Sequence, residues 1–351
     1  MAQNSDHSNA DVSGNHEAEI GILVTGGSGL VGRALQWAIS ESSFEEEDAR
    51  FQKRPNEKWT FLTSADGDLR DLTATRAIFT RCRPHVVIHL AARVGGVFAN
   101  MAHQADFFSD NLDMNQNVLR VCHEFDVGKV ISCLSTCIFP NATTYPINET
   151  MLHDGPPHDS NFGYAYAKRM LDVANRAYAS QYGRKFTGIV PTNIYGPHDN
   201  FGDGSHFVPA LIRRVHAAKE FNSLSVQVAG SGAALRQFIY SRDVAKILIW
   251  MTREYDSSDP IILAGKPQRH LQLWQVLSSM RRSFEFSARR LMFAMCTQWD
   301  TSKTDGQLRK TADNTKLKTY LKDFQFTPFE QGVKETIGWF VENKDGGGCR
   351  L

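Results

Sequence analysis

Gly21-Ile22-Leu23-Val24-Thr25-Gly26-Gly27-Ser28-Gly29-Leu30-Val31-Gly32 is the stretch whose reading decides the fold. Ile22–Val24 reads as a buried parallel strand, and a helix is expected from about Leu30. The glycines between them are spaced Gly26-x-x-Gly29-x-x-Gly32. Two let main-chain N–H groups approach a pyrophosphate at the positive end of the helix, and the third lets helix and strand pack closely. Gly26, Gly27, Ser28, Gly29, Leu30, Val31 and Gly32 are therefore candidate dinucleotide ligands. A glycine triplet alone is a weak signal; one that follows a strand and opens a helix near the N-terminus has the context that gives it meaning.

Composition narrows the rest. With 351 residues the chain can bury a large core, as two domains or as one with a large lobe. A formal charge of +1 gives no reason to expect a polyanionic partner, which argues against nucleic acid. The six cysteines (Cys82, Cys122, Cys133, Cys137, Cys296, Cys349) show neither a disulfide framework nor zinc-ligand spacing, so no metal is expected. Residues 1–18 are polar, lack the apolar core of a signal peptide and read as a tail. The longest apolar runs, such as Val244–Met251, are too short for a bilayer, and a soluble protein is expected.

Strand and helix then alternate. Strands are expected at Trp59–Leu62, Val86–Ala91, Lys129–Leu134 and Gly188–Pro191. Helices are expected at Asp71–Arg81, Gln104–Phe125 and from Tyr164 to Tyr182, and Glu41–Lys58 reads as a charged insertion. This rhythm predicts an α/β fold: a doubly wound, Rossmann-type parallel sheet covered on both faces. The second strand ends Thr63-Ser64-Ala65 without the acid that would bind the adenosine ribose of NAD, which favours NADP. Arg33 is the candidate partner of a 2′-phosphate, and Asp68-Leu69 could line the adenine pocket, with Asp68 equally readable as a turn residue. His89 reads as a packed core histidine.

Beyond Asn200 the rhythm changes. Helices at His206–Lys219 and Ser241–Tyr255 and strands at Val226–Val228 and Arg236–Tyr240 are expected, with Ile261–Leu263 returning to the main sheet. The expected division is a Rossmann domain of 19–200 plus 237–266, a smaller mixed α/β lobe of 201–236 plus 267–345, and a flexible tail at 346–351. A cleft between the lobes would place substrate over cofactor.

Ser135, Tyr164 and Lys168 carry the expected chemistry. A phenol titrates near pH 10, too high for proton transfer at neutrality, and a lysine one helical turn away is expected to lower it. Serine at a neighbouring strand end can hold a carbonyl oxygen, so hydride and proton transfer would converge on one C–O bond.

Four segments carry a family resemblance: Val24–Gly32, Ser132-Cys133-Leu134-Ser135-Thr136-Cys137-Ile138-Phe139-Pro140, Asn161-Phe162-Gly163-Tyr164-Ala165-Tyr166-Ala167-Lys168-Arg169-Met170, and Pro191-Thr192-Asn193-Ile194-Tyr195-Gly196-Pro197-His198-Asp199-Asn200-Phe201. From Ile20 to Asn343 the chain resembles the extended short-chain dehydrogenase/reductase family, in particular the branch that epimerises and reduces GDP-4-keto-6-deoxymannose. The resemblance implies NADPH as cofactor, inversion at carbons 3 and 5 and reduction at carbon 4, giving GDP-L-fucose. It implies Cys137 as base and His198 as acid, with the imidazole helping to form the thiolate. It also implies that Lys168, Pro191, Thr192, Asn193 and Ile194 border the nicotinamide end, and that Arg214, Arg236 and Asp305 meet the nucleotide-sugar. A homodimer through Gln104–Phe125 and Asn161–Tyr182 is implied as well. Two departures stand out: Ala229 replaces a usual Trp, and no basic residue lies near Ala65. The rival readings are an epimerase or dehydratase that retains NAD, and a silent scaffold of the same fold. Finally, Cys349-Arg350-Leu351 after Gly346–Gly348 resembles a peroxisome-type (glycosomal) address, which the glycines would hold away from the body.

Overall fold

The central strand β1 (Ile20–Thr25) pairs in parallel with β2 (Glu57–Phe61) on one side and β3 (Val86–His89) on the other. The sheet continues through β4 (Lys129–Cys133) and β5 (Lys185–Pro191) to β9 (Ile261–Leu263), all parallel, in the order β2-β1-β3-β4-β5-β9. The computed structural model describes residues 18–40, 48–221, 223, 225–269 and 296–351; the expected tail up to residue 17, the first part of the charged insertion and the stretch 270–295 lie outside them.

Both faces of this sheet are dry. Ile22 and Val24 pack into one core and Leu23 into the other, and the same alternation runs through Val86–Ile88. An unbroken apolar run of this kind belongs in a strand covered on both sides. One face carries α2 (Leu72–Cys82), α4 (Gln104–Glu124) and α5 (Phe162–Tyr182). The other carries α1 (Leu30–Ser40), α7 (Ser241–Glu254) and the short helix Thr315–Tyr320. Every residue of α7 from Ile247 to Thr252 is buried, and each large aliphatic side chain there contributes about 1.5–3 kcal/mol by leaving water.

The chain reverses direction across the sheet between β1 and β3. In such sheets the ligand crevice opens outside the strand C-termini at that point. Thr25, the last residue of β1, ties the crevice floor together: its Oγ1 accepts from Leu90 N and Ala91 N, both at 3.1 Å, and lies 2.8 Å from His89 Nδ1. Having accepted twice, the hydroxyl donates to Nδ1, so His89 carries its proton on Nε2, 3.0 Å from Asn115 Oδ1. Burial pushes this imidazole down to about 3. It is the neutral core histidine that its place in the strand suggests.

The smaller part is built on a three-stranded sheet, β10 (Pro267–Arg269), β8 (Leu235–Tyr240) and β6 (Asn193–Tyr195), and on a parallel pair, β11 (Cys296–Asp300) with β7 (Ser225–Ala229). Helix α6 (Phe207–Glu220) and the helix Phe329–Asn343 close a third core with them.

Several expectations need correction. The second strand starts at Glu57, before Trp59, because Glu57 is buried against Arg253, with Nε to Oε1 at 2.8 Å and Nη2 to Oε2 at 2.9 Å. The stretch 192–200, expected to be loop, contains β6, whose partner β8 is distant in sequence. Residues after Gly96 form an unexpected helix, α3 (Val97–Ala102). The residues after Gly348 do not stand off from the body: Cys349 packs on the third core and Arg350 bridges to Asn200. That removes the spacing which the organellar-address reading relied on.

Candidate active site

A cleft of about 870 Å³ lies over the switch point. One wall is the glycine loop. Gly26 sits at φ +70°, and a Cβ there would meet Ala91 N at 2.9 Å; a Cβ on Gly32 would meet the carbonyl oxygens of Gly26 and Gly27 at 2.5 Å. Side chains would therefore push the loop off the end of β3 and α1 off the loop, and their absence lets the start of α1 sit tight beneath the loop with its N–H groups toward the cleft. Ser28, Gly29, Leu30 and Val31 line the cleft, as do Asp68, Leu69, Pro191, Thr192, Asn193 and Ile194. These residues fit a dinucleotide extended across the strand ends. Gly27 does not line it: its N–H donates to Leu62 O at 2.6 Å and holds the loop on β2.

At the adenosine end, Thr63 and Ser64 line the cleft, and the turn Ser64–Asp66 is closed by a capping box between Thr63 and Asp66. Asp66 is thus committed to its own turn and to Arg81, 3.2 Å away, so no free acid occupies the position that would repel a 2′-phosphate. Asp68 is held by Arg70 at 2.7 Å, which keeps its carboxyl below the usual range. Arg33 is not at this end. It does not line the cleft; its Nη1 donates to Gln36 Oε1 at 3.3 Å, and its charge acts on His198.

Ser135 and Tyr164 share the cleft with the glycine loop. Ser135 caps the turn Thr136–Ile138 and accepts from Cys137 N at 3.3 Å. Lys168, one turn along α5 from Tyr164, is 1% exposed; its Nζ donates to Cys133 O at 2.7 Å and lies 5.9 Å from the Tyr164 ring. Lysine was expected to pull the phenol down. Burial wins instead: it raises Tyr164 well above the ordinary phenol value, with Cys137 and Cys133 adding to the rise, and it lowers Lys168. A phenol held protonated suits the donation of a proton to oxygen during ketone reduction.

Cys137 is nearly buried beside the cleft, 7% exposed, and does not line it. Its charged neighbours are not imidazoles. They are Lys168 and Arg169 on α5 and Lys310, which reaches in from the smaller part. Arg169 donates to Ile138 O, fixing the turn that holds Cys137. Lys310 went unremarked in the sequence. It follows Arg309, whose backbone pairs with Leu235 at the start of β8, and burial together with Arg236 pushes it down to about 8.

The histidine expected as acid does not stand in the cleft, and another one does. His198, at φ +66°, lies with its ring centroid 4.4 Å from that of Trp339 and does not line the cleft. His206, at the N-terminal cap of α6, does line it. Its ring is reached by solvent across the open cleft, while the protein around it lowers its pKa. The available sequence signal was position: His206 directly precedes a helix that opens onto the cleft.

Arg214, Arg236 and Asp305 belong to the smaller part; Arg236 and Asp305 meet, and Arg214 stands apart from them. Arg214 lines a second cavity of about 520 Å³ with Lys303, Gln227 and Ala229, donating to Gln227 O at 3.2 Å. Arg236 donates to Asp305 O at 2.9 Å, while the Asp305 carboxylate accepts from Ser231 N and Oγ at 2.9 and 2.6 Å. Arg236 and Asp305 thus brace the turn after β7. No group of metal-ligating side chains occurs among the described residues, and no helix there is long and apolar enough to cross a membrane.

The comparisons with known proteins agree with this geometry. The NAD dependent epimerase/dehydratase family matches residues 22–265. A GDP-L-fucose synthase of Dictyostelium discoideum is 48% identical over 324 residues, covering 92% of this chain and 95% of that protein. A probable GDP-L-fucose synthase of Drosophila melanogaster is 47% identical over 331 residues, covering 92% and 98%. A solved GDP-L-fucose synthetase of Naegleria fowleri bound to NADP superposes with a TM-score of 0.81 at 41% identity, over 95% of this chain and 97% of its own. The chain belongs to the NAD dependent epimerase/dehydratase family, on the branch of the GDP-L-fucose synthases.

Proposed function

We propose that the chain converts GDP-4-keto-6-deoxy-D-mannose to GDP-L-fucose by epimerisation at carbons 3 and 5 and NADPH-dependent reduction at carbon 4. The observation that carries this reading is a single cleft with the glycine loop, Ser135, Tyr164 and His206 on its walls. NADPH, when bound, supplies the hydride to carbon 4. Thr63 and Ser64, without a free acid, leave room for its 2′-phosphate.

The chain's own residues handle the protons. A ketone at carbon 4 acidifies the hydrogens at carbons 3 and 5, and each inversion removes one proton and returns one to the opposite face. Cys137 is the base, and its cationic neighbours are Lys168, Arg169 and Lys310. His206 takes the acid role that the sequence resemblance gave to His198, because it faces the cleft. Ser135 Oγ holds the carbonyl oxygen, and Tyr164 gives it a proton as the hydride arrives. Lys310 and Arg236, which act on each other electrostatically, are the candidate cations for a sugar diphosphate, and Arg214 and Lys303, which line the second cavity, are those for its nucleotide end.

For assembly, α4 and α5 pack together and leave Phe162, Met170 and Val173 exposed along one side of α5. This face supports a two-fold homodimer through these helices, measurable by light scattering. The reaction itself is tested by mixing protein, NADPH and the GDP-4-keto sugar: NADPH oxidation should require the sugar and yield GDP-L-fucose. Oxidation at the same rate without the sugar would refute the reading.

A further inference from the structure

One part of the cleft wall comes from the far end of the chain. Arg350 Nη2 donates to His198 O at 2.8 Å, and Arg350 O accepts from Phe201 N at 2.8 Å. Asn200 and Arg350 form a parallel bridge, and a Cβ on Gly202 would meet the Leu351 carbonyl carbon at 2.5 Å. Arg350 is thereby fixed on the loop between β6 and α6, and it lines the cleft with Gly29, Leu30, Asp199 and Asn200.

Charge at this spot is unbalanced. Arg33, Arg242 and Arg350 all act on His198 and, after burial, push its imidazole below the ordinary value. Arg242 is paired with Glu335 at 2.9 Å, but neither Arg33 nor Arg350 has an ion-pair partner among the described residues. The one acid lining this corner, Asp199, is 6% exposed, and burial raises its carboxyl to about 7, so it is a poor counter-charge near neutrality. Its Oδ2 has no hydrogen-bond partner among the described residues. Opposite stands the glycine loop with the positive end of α1. Arg350 on the cleft wall, a helix N-terminus and an unsatisfied acid that can donate when protonated form a site for an anion, with Arg33 adding positive field from outside the cleft.

We propose that Arg350 binds the diphosphate of the dinucleotide, clamping it against the glycine loop from the opposite wall. The proposal rests on the dinucleotide reading of the cleft. The adenosine 2′-phosphate end is served by Thr63 and Ser64 at the end of β2, and the sugar nucleotide by the smaller part, so the two other phosphates lie elsewhere.

The test is a binding titration on the full chain, with Arg350→Ala and Arg350→Lys beside the wild type and four probes: NADP, ADP-ribose, adenosine 2′-monophosphate and GDP. Arg350→Ala should weaken NADP and ADP-ribose by about 10-fold, the scale of one charge-assisted hydrogen bond. It should leave adenosine 2′-monophosphate and GDP unchanged, and Arg350→Lys should recover part of the loss. Unchanged NADP affinity, or an equal loss for all four probes with a lowered melting temperature, would overturn the proposal and leave Arg350 as a strap of the loop. Failure of the wild type to bind NADP would instead defeat the dinucleotide reading.

Discussion

The dinucleotide half and the sugar half of this cleft are built on different principles. The dinucleotide half is local: β1, the glycine loop and α1 are consecutive, and Tyr164 and Lys168 lie one turn apart on α5. The proposed sugar half draws on segments far apart in the chain: the turn of Cys137, the start of α6, and Lys310 beside Leu235. Short-range patterns announce the first kind of site. The second depends on which distant segments meet, and its chemistry is set by burial more than by motif.

The sharpest way to break this comparison is to ask which histidine matters. His206→Gln should lower epimerisation by about 10²–10³-fold, in the range for loss of a general acid, while His198→Gln should cost less than about 10-fold. Rates of L-sugar formation measure both. The reverse ranking would restore the motif-based assignment and show that the loop rearranges when substrate enters.

A smaller effect is expected at Lys310. Its ammonium loses its proton near pH 8, so KM for the GDP-sugar should rise above that pH. Lys310→Met should raise KM by roughly 10-fold at pH 7 and remove the alkaline rise. Stability runs the other way. The folded state releases the proton at about 8 and the unfolded chain near 10.5, so Lys310 weakens the fold below pH 8 and this cost fades between the two values. Lys310→Met should therefore not lower the melting temperature at pH 7.

The smallest effect is expected at Asp199. Its folded value of about 7 lies above the unfolded 3.8, so stability present below 3.8 is lost as pH rises through 7. From pH 5 to pH 8 the wild-type melting temperature should fall a few degrees more than that of Asp199→Asn. Parallel curves would mean that the Asp199 carboxyl is not what burial makes it here.

The same contrast explains what the sequence made legible. Ile22–Val24 and Val86–Ile88 are apolar runs between turn signals, Lys129–Cys133 carries the apolar pair Val130-Ile131, and the sheet follows from them. The start of β2 was hidden because Glu57 and Lys58 look like surface residues; only the pairing of Glu57 with Arg253, nearly two hundred residues later, makes burial tolerable. Strand β6 has three residues and takes its strand character from β8. Tyr164 and Lys168 were legible as a pair, but the direction in which the phenol shifts was not, because desolvation is a property of the packed site. His198 and Arg33 sit in recognisable segments yet neither lines the cleft, and the two act on each other instead. Lys310 has no sequence mark at all; it matters through the segment it pairs with.

The central claim is that two separable proton-transfer sets serve one cleft, Cys137 just behind its wall with His206 on it for the ring carbons, and Tyr164 for the oxygen. The direct measurement is deuterium incorporation at carbons 3 and 5 of GDP-4-keto-6-deoxymannose in deuterated water, followed by NMR alongside NADPH oxidation, for the wild type and Tyr164→Phe. The account predicts that Tyr164→Phe loses about 10³-fold in NADPH oxidation while ring deuteration continues within a few-fold of the wild-type rate. Loss of deuteration in step with reduction, or retention of reduction, would contradict it.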